Sequence, residues 1–295
     1  MNILHLLIII PLLTTVSVLC VKSMKAVRWA TAVGMFFQLL TAITVLLVYM
    51  VIRQSGDTSE MVLMDTYNWY PSLNITYAIG VDGISCAMIL LTAIVMFAGV
   101  FASWEIEYLQ KEFFVSLIIL ATGVFGFFIS LDIFTMFLYY ELAVIPMYIL
   151  IGIWGTGRKE YSAMKLTLML MGGSALIIVA LFGIYHSSGA PEPTFNLLEL
   201  GKYPMSEAAQ RFFFPFAFLG FGVLGALFPF HTWSPDGHAS APTAVSMLHA
   251  GVLMKLGGYG IFRVAMYLMP QAAQEQAWIF IVLTSISVVY GAFGA

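Results

Sequence analysis

Glu141 stands inside the apolar run Leu131-Asp-Ile-Phe-Thr-Met-Phe-Leu-Tyr-Tyr-Glu141-Leu-Ala-Val-Ile-Pro146, and the nearest basic residues, Lys111 and Arg158, lie outside it. The run is long enough to cross a bilayer, since about 20 apolar residues span about 30 Å of hydrocarbon. A charged carboxylate near the bilayer centre costs about 2.5–3.5 kcal/mol, and such groups are retained where protons or ions move. The alternative is a carboxyl kept protonated and hydrogen-bonded to Tyr139, Tyr140 or a neighbouring helix. Pro146, five residues on, removes a backbone hydrogen bond and lets the helix bend.

Lys255 is the matching cation, mid-run in Met247-Leu-His-Ala-Gly-Val-Leu-Met-Lys255-Leu-Gly-Gly-Tyr-Gly. A lysine at that depth needs a carboxylate partner or a file of water. Gly257, Gly258 and Gly260 follow it and permit close helix packing or local unwinding. His249 precedes Lys255 by six residues, so on a helix it points about 240° away and meets a different neighbour; it is a candidate for proton transfer or an ordinary hydrogen-bonded histidine. Lys165 opens another apolar run, either as part of a proton path or reaching the interface along its aliphatic stem. His231, Asp236 and His238 lie in a stretch broken by Pro229, Pro235 and Pro242, where a continuous helix is impossible. Irregular backbone at membrane depth is tolerated where it lines a wet cavity, so these three mark a route by which protons enter, unless the stretch is a plain cytoplasmic loop. There is no phosphate-binding glycine loop, nucleophile elbow or metal cluster of standard spacing.

The elements that position these residues follow from composition. The 295 residues are 61% hydrophobic and 9% charged, with mean hydropathy +0.96; soluble domains carry about 25% charged residues. A solvated surface cannot be built from this chain, and the expectation is an all-α polytopic membrane protein. A net charge of −3 without a basic cluster excludes a nucleic-acid binder. Nine apolar runs fall at about 2–20, 29–52, 83–103, 112–130, 132–153, 162–186, 210–228, 242–268 and 277–295. The first lacks a basic flank and a small-residue cleavage site, and is read as a membrane helix rather than a signal peptide. The last is still apolar at Ala295, so the natural protein is expected to be longer. Loops after runs one, three and five carry six cations (Lys22, Lys25, Arg28, Lys111, Arg158, Lys159), against Arg53, Lys202 and Arg211 on the other side. The positive-inside rule then puts the N-terminus outside and the first set of loops in the cytoplasm.

Gly80-Val-Asp-Gly-Ile-Ser85, Tyr140-Glu141-Leu-Ala-Val-Ile-Pro146, Phe228-Pro229-Phe-His231-Thr-Trp-Ser-Pro-Asp236-Gly-His238 and Leu253-Met-Lys255-Leu-Gly-Gly-Tyr-Gly occur in fixed order. Together they resemble the antiporter-like membrane subunits of respiratory complex I, of the chain M (subunit 4) type. The resemblance implies a fourteen-helix fold with inverted repeats and a broken seventh helix. This chain would hold helices 1–3 with an outer loop (1–110), a first repeat of helices 4–8 (111–268) and the start of another helix (269–295). It implies proton translocation through Glu141, Lys255, His249 and Lys165, with Pro146 and Pro229 at helix bends or breaks. It also implies partner membrane-arm subunits, including neighbouring antiporter-like ones. NADH, FMN, iron–sulfur clusters and quinone would reside in those partners and none in this chain. A Mrp-type cation/proton antiporter subunit, a membrane subunit of an energy-converting hydrogenase and a passive structural spacer are the alternatives. One departure stands out: the lysine that such subunits carry on helix seven is Leu224 here, and Ala226 replaces a nearby proline. His249 is the candidate substitute base.

Overall fold

In the computed structural model, residues 2–294 are described. The helices are α1 (Leu6–Cys20), α2 (Met24–Gln54), α3 (Gly83–Ala102), α4 (Gln110–Ile129), α5 (Ile133–Trp154), α6 (Lys159–Ser187), α7 (Leu197–Lys202), α8 (Glu207–Leu224), α9 (Trp233–Ser240), α10 (Thr243–Met266) and α11 (Pro270–Gly294). Among the described residues, eight helices are long and apolar enough to cross a bilayer: α1 to α6, α10 and α11. The seventh run forms α8, 18 residues long and less apolar because Glu207 and Arg211 occupy its first turns. Gly225 to Thr232 then leave the helical path, and α9 resumes it, with Pro235 in the first turn where a missing N–H does no harm. The broken helix expected at the prolines is therefore present as α8, an unwound segment and α9.

The loop 53–82 departs from an all-helical reading. Its residues form an antiparallel hairpin, β1 (Val62–Tyr70) with β2 (Ile75–Val81), pairing Asp65 with Ile79 and Tyr67 with Tyr77. The scan for long apolar runs passes over two short half-exposed strands, although the alternation Val62-Leu-Met-Asp-Thr-Tyr-Asn-Trp carries them. Asn74 closes the hairpin at φ 50°, a left-handed position that asparagine tolerates.

Buried small residues set the helix spacing. The α4–α5 pair, joined through Ser130–Asp132, packs at Gly123 and Gly126: a Cβ at Gly126 would lie 2.2 Å from the Tyr139 ring, and one at Gly123 2.7 Å from the Tyr139 carbonyl oxygen. Glu141 is two residues from this contact, so the glycines hold its helix in place. The substitution Gly126→Ala is expected to destabilise the chain by about 1–3 kcal/mol through overpacking, whereas Gly258→Ala, which meets nothing within 4 Å, should not. Thermal unfolding of the two variants in detergent distinguishes them; equal melting would show that α4 and α5 are not held by this contact.

Candidate functional site

Glu141 is half-buried on α5, and its carboxylate Oε1 accepts from Ser174 Oγ of α6. Ser174 Oγ also lies 3.4 Å from the Tyr140 hydroxyl and 3.0 Å from the Leu170 carbonyl, and the Tyr140 hydroxyl donates to that carbonyl at 3.3 Å. Sequence reasoning named Tyr140 but missed Ser174. Its signal was the small-residue run Gly172-Gly173-Ser174 in an apolar helix, where Gly173 also lets α6 approach Gly220 and Val223 of α8. Pro146 lies inside α5, one turn and a half beyond Glu141, and leaves the Leu142 carbonyl without its helical donor. Among the described residues, no basic side chain pairs with Glu141.

The second group gathers around the break in the seventh span. Pro229 lies in the unwound segment, which is held by backbone turns such as Leu227 N to the Gly222 carbonyl at 2.8 Å and by Ser287 Oγ of α11, which accepts from Phe228 N at 2.8 Å; Trp233 Nε1 of α9 donates to the Val223 carbonyl in the last turn of α8 at 3.1 Å. The close approach of α10 depends on Gly257 and Gly260, where a Cβ would fall 2.5 Å from Gly225 N and 2.3 Å from the Phe221 ring. His249 is fully buried, facing inward, with the His238 ring 4.2 Å and the Trp233 ring 5.0 Å away, both nearly parallel to it. A π-helical stretch, His249–Leu253, shifts the register of α10 just there; such stretches are frequent at functional sites. Leu224, also fully buried, lines the same small void of about 10 Å³ as His249.

The three residues of the broken stretch do not form one cluster. Asp236 pairs with Lys165 of α6 at 2.7 Å, and Ser240 and Ser162 join the same two helices through a 2.7 Å hydroxyl contact. Lys165 thus has a carboxylate partner, in a partly exposed pair. His238 turns to Ser246 and His249. His231 lies on the other side, 4.7 Å from the Tyr290 ring in an open groove of about 530 Å³ with Ser234 and Ser287, and its ring nitrogens have no protein partner among the described residues.

Lys255 is the site residue the chain leaves outside. It is exposed, and its ammonium turns back onto the Ala250 carbonyl of its own helix. Burial of His249 and exposure of Lys255 put them on different faces of α10. Neither the carboxylate partner nor the hydrated file that a mid-span lysine calls for is supplied by the described residues.

Two polar clusters near the hairpin end of the bundle escaped the sequence reading. Arg263, at the far end of α10, pairs with Asp82 at the start of α3 and lies 3.7 Å from Glu60. Asp132, fully buried, caps α5 by accepting from Phe134 N and Thr135 N at 3.0 and 3.1 Å, and accepts from Thr76 N and Oγ at 3.0 Å each. It thereby fastens the hairpin to the helix that carries Glu141. Replacing Asp132 with Ala leaves these buried donors unpaired and is expected to cost about 1–3 kcal/mol. Chemical unfolding of the variant checks this, and an unchanged midpoint would contradict it.

A broken helix, α8–α9, packed against α6, which in turn holds the Glu141 carboxylate of α5 through Ser174, is the arrangement of an antiporter-like class of polytopic membrane protein. Residues 130–295 match the family described as NADH:quinone oxidoreductase/Mrp antiporter, TM. The chain belongs to that family. It is 35% identical to a Picosynechococcus NAD(P)H-quinone oxidoreductase chain 4, over 98% of this chain and 52% of the relative. It is 33% identical to the Rickettsia prowazekii NADH-quinone oxidoreductase subunit M, over 98% of this chain and 58% of the relative. The chain therefore spans little more than half the length of these relatives. Its fold matches a chain of respiratory complex I from Thermus thermophilus at TM-score 0.85 and 23% identity, and a chain of an archaeal membrane-bound sulfane sulfur reductase at TM-score 0.83 and 20% identity. Each match covers 98% of this chain and 58% of the other.

Proposed function

We propose that the chain is part of a proton-translocating membrane-arm subunit of an NADH:quinone oxidoreductase in a bacterial inner membrane, with the N-terminus outside. The observation that carries this reading is Glu141, an ionisable group mid-span, bonded to a hydroxyl network that joins α5 to α6. In this reading the chain's own chemistry is the holding and passing of protons. NADH, flavin, iron–sulfur clusters and quinone belong to partner subunits in this reading, and neighbouring antiporter-like subunits cover part of the lipid-facing surface. Moving one charge against 100 mV requires about 2.3 kcal/mol, the scale of a change in solvation or pairing at Glu141. Residues 111–268 act as the first repeat, with Glu141, Lys165, His249 and Lys255 as proton-transfer groups and the α8–α9 break as the access route.

The antiporter half of the family description favours a second reading, a cation/proton antiporter module without quinone chemistry. The subunit composition of the detergent-solubilised native complex decides between them. Co-purifying iron–sulfur and quinone-site subunits are expected; purification with cation-antiporter subunits alone would overturn the first reading.

A further inference from the structure

We propose that the start of α2 is a binding site for an anionic phospholipid: Lys25, Arg28 and the free amides of the first helical turn hold the phosphate, and the aromatic seam between α2 and α3 receives an acyl chain. The site lies apart from the Glu141 carboxylate and the α8–α9 break. It stands on the membrane-spanning character of the chain and does not depend on proton translocation.

The length of α2 sets the depth of the site. Its 31 residues make about 46 Å of helix at 1.5 Å per residue. The hydrocarbon core is about 30 Å thick, and about 40–45 Å with both headgroup layers. A helix this long carries its end turns at headgroup depth. The last turn of α2 leads toward the hairpin. The first follows Lys22, in the turn after α1, and holds Lys25 and then Arg28 and Trp29. Arg28 and Trp29 come three and four residues after Lys25, so the three side chains share one side of the helix.

The donors gathered here have no acceptor among the described residues. Ser23 occupies the N-cap of α2, yet its hydroxyl caps no amide. The amides of Met24, Lys25 and Ala26 are therefore left open at the positive end of the helix dipole. Arg28 is half-buried, and its Nε is buried without a hydrogen-bond partner. Lys22, Lys25 and Arg28 enter no ion pair, and neither do the exposed Glu105 and Glu107 on the connection after α3. Lys111 of α4 is different, because its ammonium already donates to the Leu19 and Val21 carbonyls at the end of α1. A buried guanidinium donor left unpaired is costly. A phosphodiester offers two adjacent anionic oxygens, the shape a guanidinium fork matches, and a helix N-terminus accepts the same group.

From these cations a continuous strip of rings follows the α2–α3 contact toward the bilayer centre. Trp29 meets Trp104 edge-on at 5.5 Å, and Trp104 stacks on Phe101 at 5.5 Å and 10°. Phe101 meets Phe97 at 5.1 Å, and Phe97 reaches Phe36 of α2 at 6.1 Å. Trp29, Phe36 and Phe101 are exposed, so the strip is open at the surface of the chain. From Trp29 to Phe36 it runs about 10 Å along α2. Tryptophan favours the headgroup level and phenylalanine the hydrocarbon below it. Cations at the headgroup level with an open apolar strip beneath them match both halves of an acidic lipid. A soluble phosphate compound would use the cations and leave the rings uncovered.

The test uses the native complex in proteoliposomes containing a trace of phosphatidylglycerol or phosphatidylcholine with a photoactivatable diazirine on one acyl chain. Mass spectrometry then maps the labelled residues. In wild type, the segment Phe97–Trp104 is expected to take about tenfold more label from phosphatidylglycerol than from phosphatidylcholine, since each surface cation strengthens an acidic lipid's binding about fivefold. Lys25→Gln should lower this preference about fivefold. Arg28→Gln should lower it further, and Arg28→Lys, which keeps the charge without the fork, should fall between wild type and Arg28→Gln. Arg158→Gln, on the α5–α6 connection at the same end of the bundle, should leave it unchanged. Equal labelling by the two wild-type probes would overturn the proposal, and so would no labelling by either, which would mean that a protein neighbour covers the seam. An Arg158→Gln effect as large as that of Arg28→Gln would overturn it in favour of diffuse surface charge. Displacement of the label by inorganic phosphate as readily as by unlabelled phosphatidylglycerol would overturn it in favour of a soluble anion.

Discussion

Replacing Glu141 with Gln is expected to leave the subunit assembled while the proton-pumping rate of the complex falls about 10²-fold or more, the scale of removing a positioned proton carrier. Glutamine matches the carboxyl in shape and can still accept from Ser174 Oγ, so the α5–α6 contact survives. What it cannot do is gain or lose a proton. The coupled quinone reductase rate should also fall, but by less than pumping, since electron transfer lies in partner subunits in the proposed reading. Native gel electrophoresis checks assembly and acidification of proteoliposome interiors checks pumping. An assembled variant that pumps at the wild-type rate would reduce Glu141 to a structural hydrogen-bond acceptor.

Lys255→Met is expected to have an effect of the same order. The side chain is exposed on α10, so packing within this chain does not depend on its charge. Methionine keeps its length and removes its ability to carry a proton. Lys255→Arg keeps the charge in a planar, permanently protonated group and should be intermediate in pumping. The ordering wild type, then Arg, then Met separates a charge-carrying lysine from one that fills space; Met pumping as well as wild type would contradict the charge-carrying role.

The membrane architecture was legible because apolar runs of bilayer length leave little freedom: a backbone in lipid must satisfy its own hydrogen bonds, so runs become helices. The break at Gly225–Thr232 was legible from proline chemistry. Its depth was less so, because Pro235 sits in the first turn of α9, where proline is tolerated. The ninth run begins earlier than apolarity shows, at Pro270, because the polar segment Gln271–Gln276 is already helical and pairs with α8 through Arg211–Glu275 at 2.6 Å. The hairpin escaped because two short, half-exposed strands carry no long apolar signal. Glu141, His249 and Lys255 stand out in the sequence because charge or an imidazole in an apolar run is conspicuous in one dimension. Ser174, Asp132 and the Arg263–Asp82 pair were missed because their importance lies in partners 33, 56 and 181 residues away. The stacking of His238 on His249 was hidden for a different reason: it depends on how far the chain unwinds after Leu224 and on the π-helical register at His249, and neither follows from residue spacing.

The central claim, that this chain carries protons through Glu141 in a redox-coupled complex, is tested most directly by the number of protons moved per electron pair. The measurement compares proteoliposomes containing the wild-type complex with those containing Glu141→Gln, under slow turnover and with NADH and quinone supplied. A lower ratio in the variant, at equal amounts of assembled complex, is the result expected here. An unchanged ratio would contradict the account, since protons would then cross the membrane without this residue.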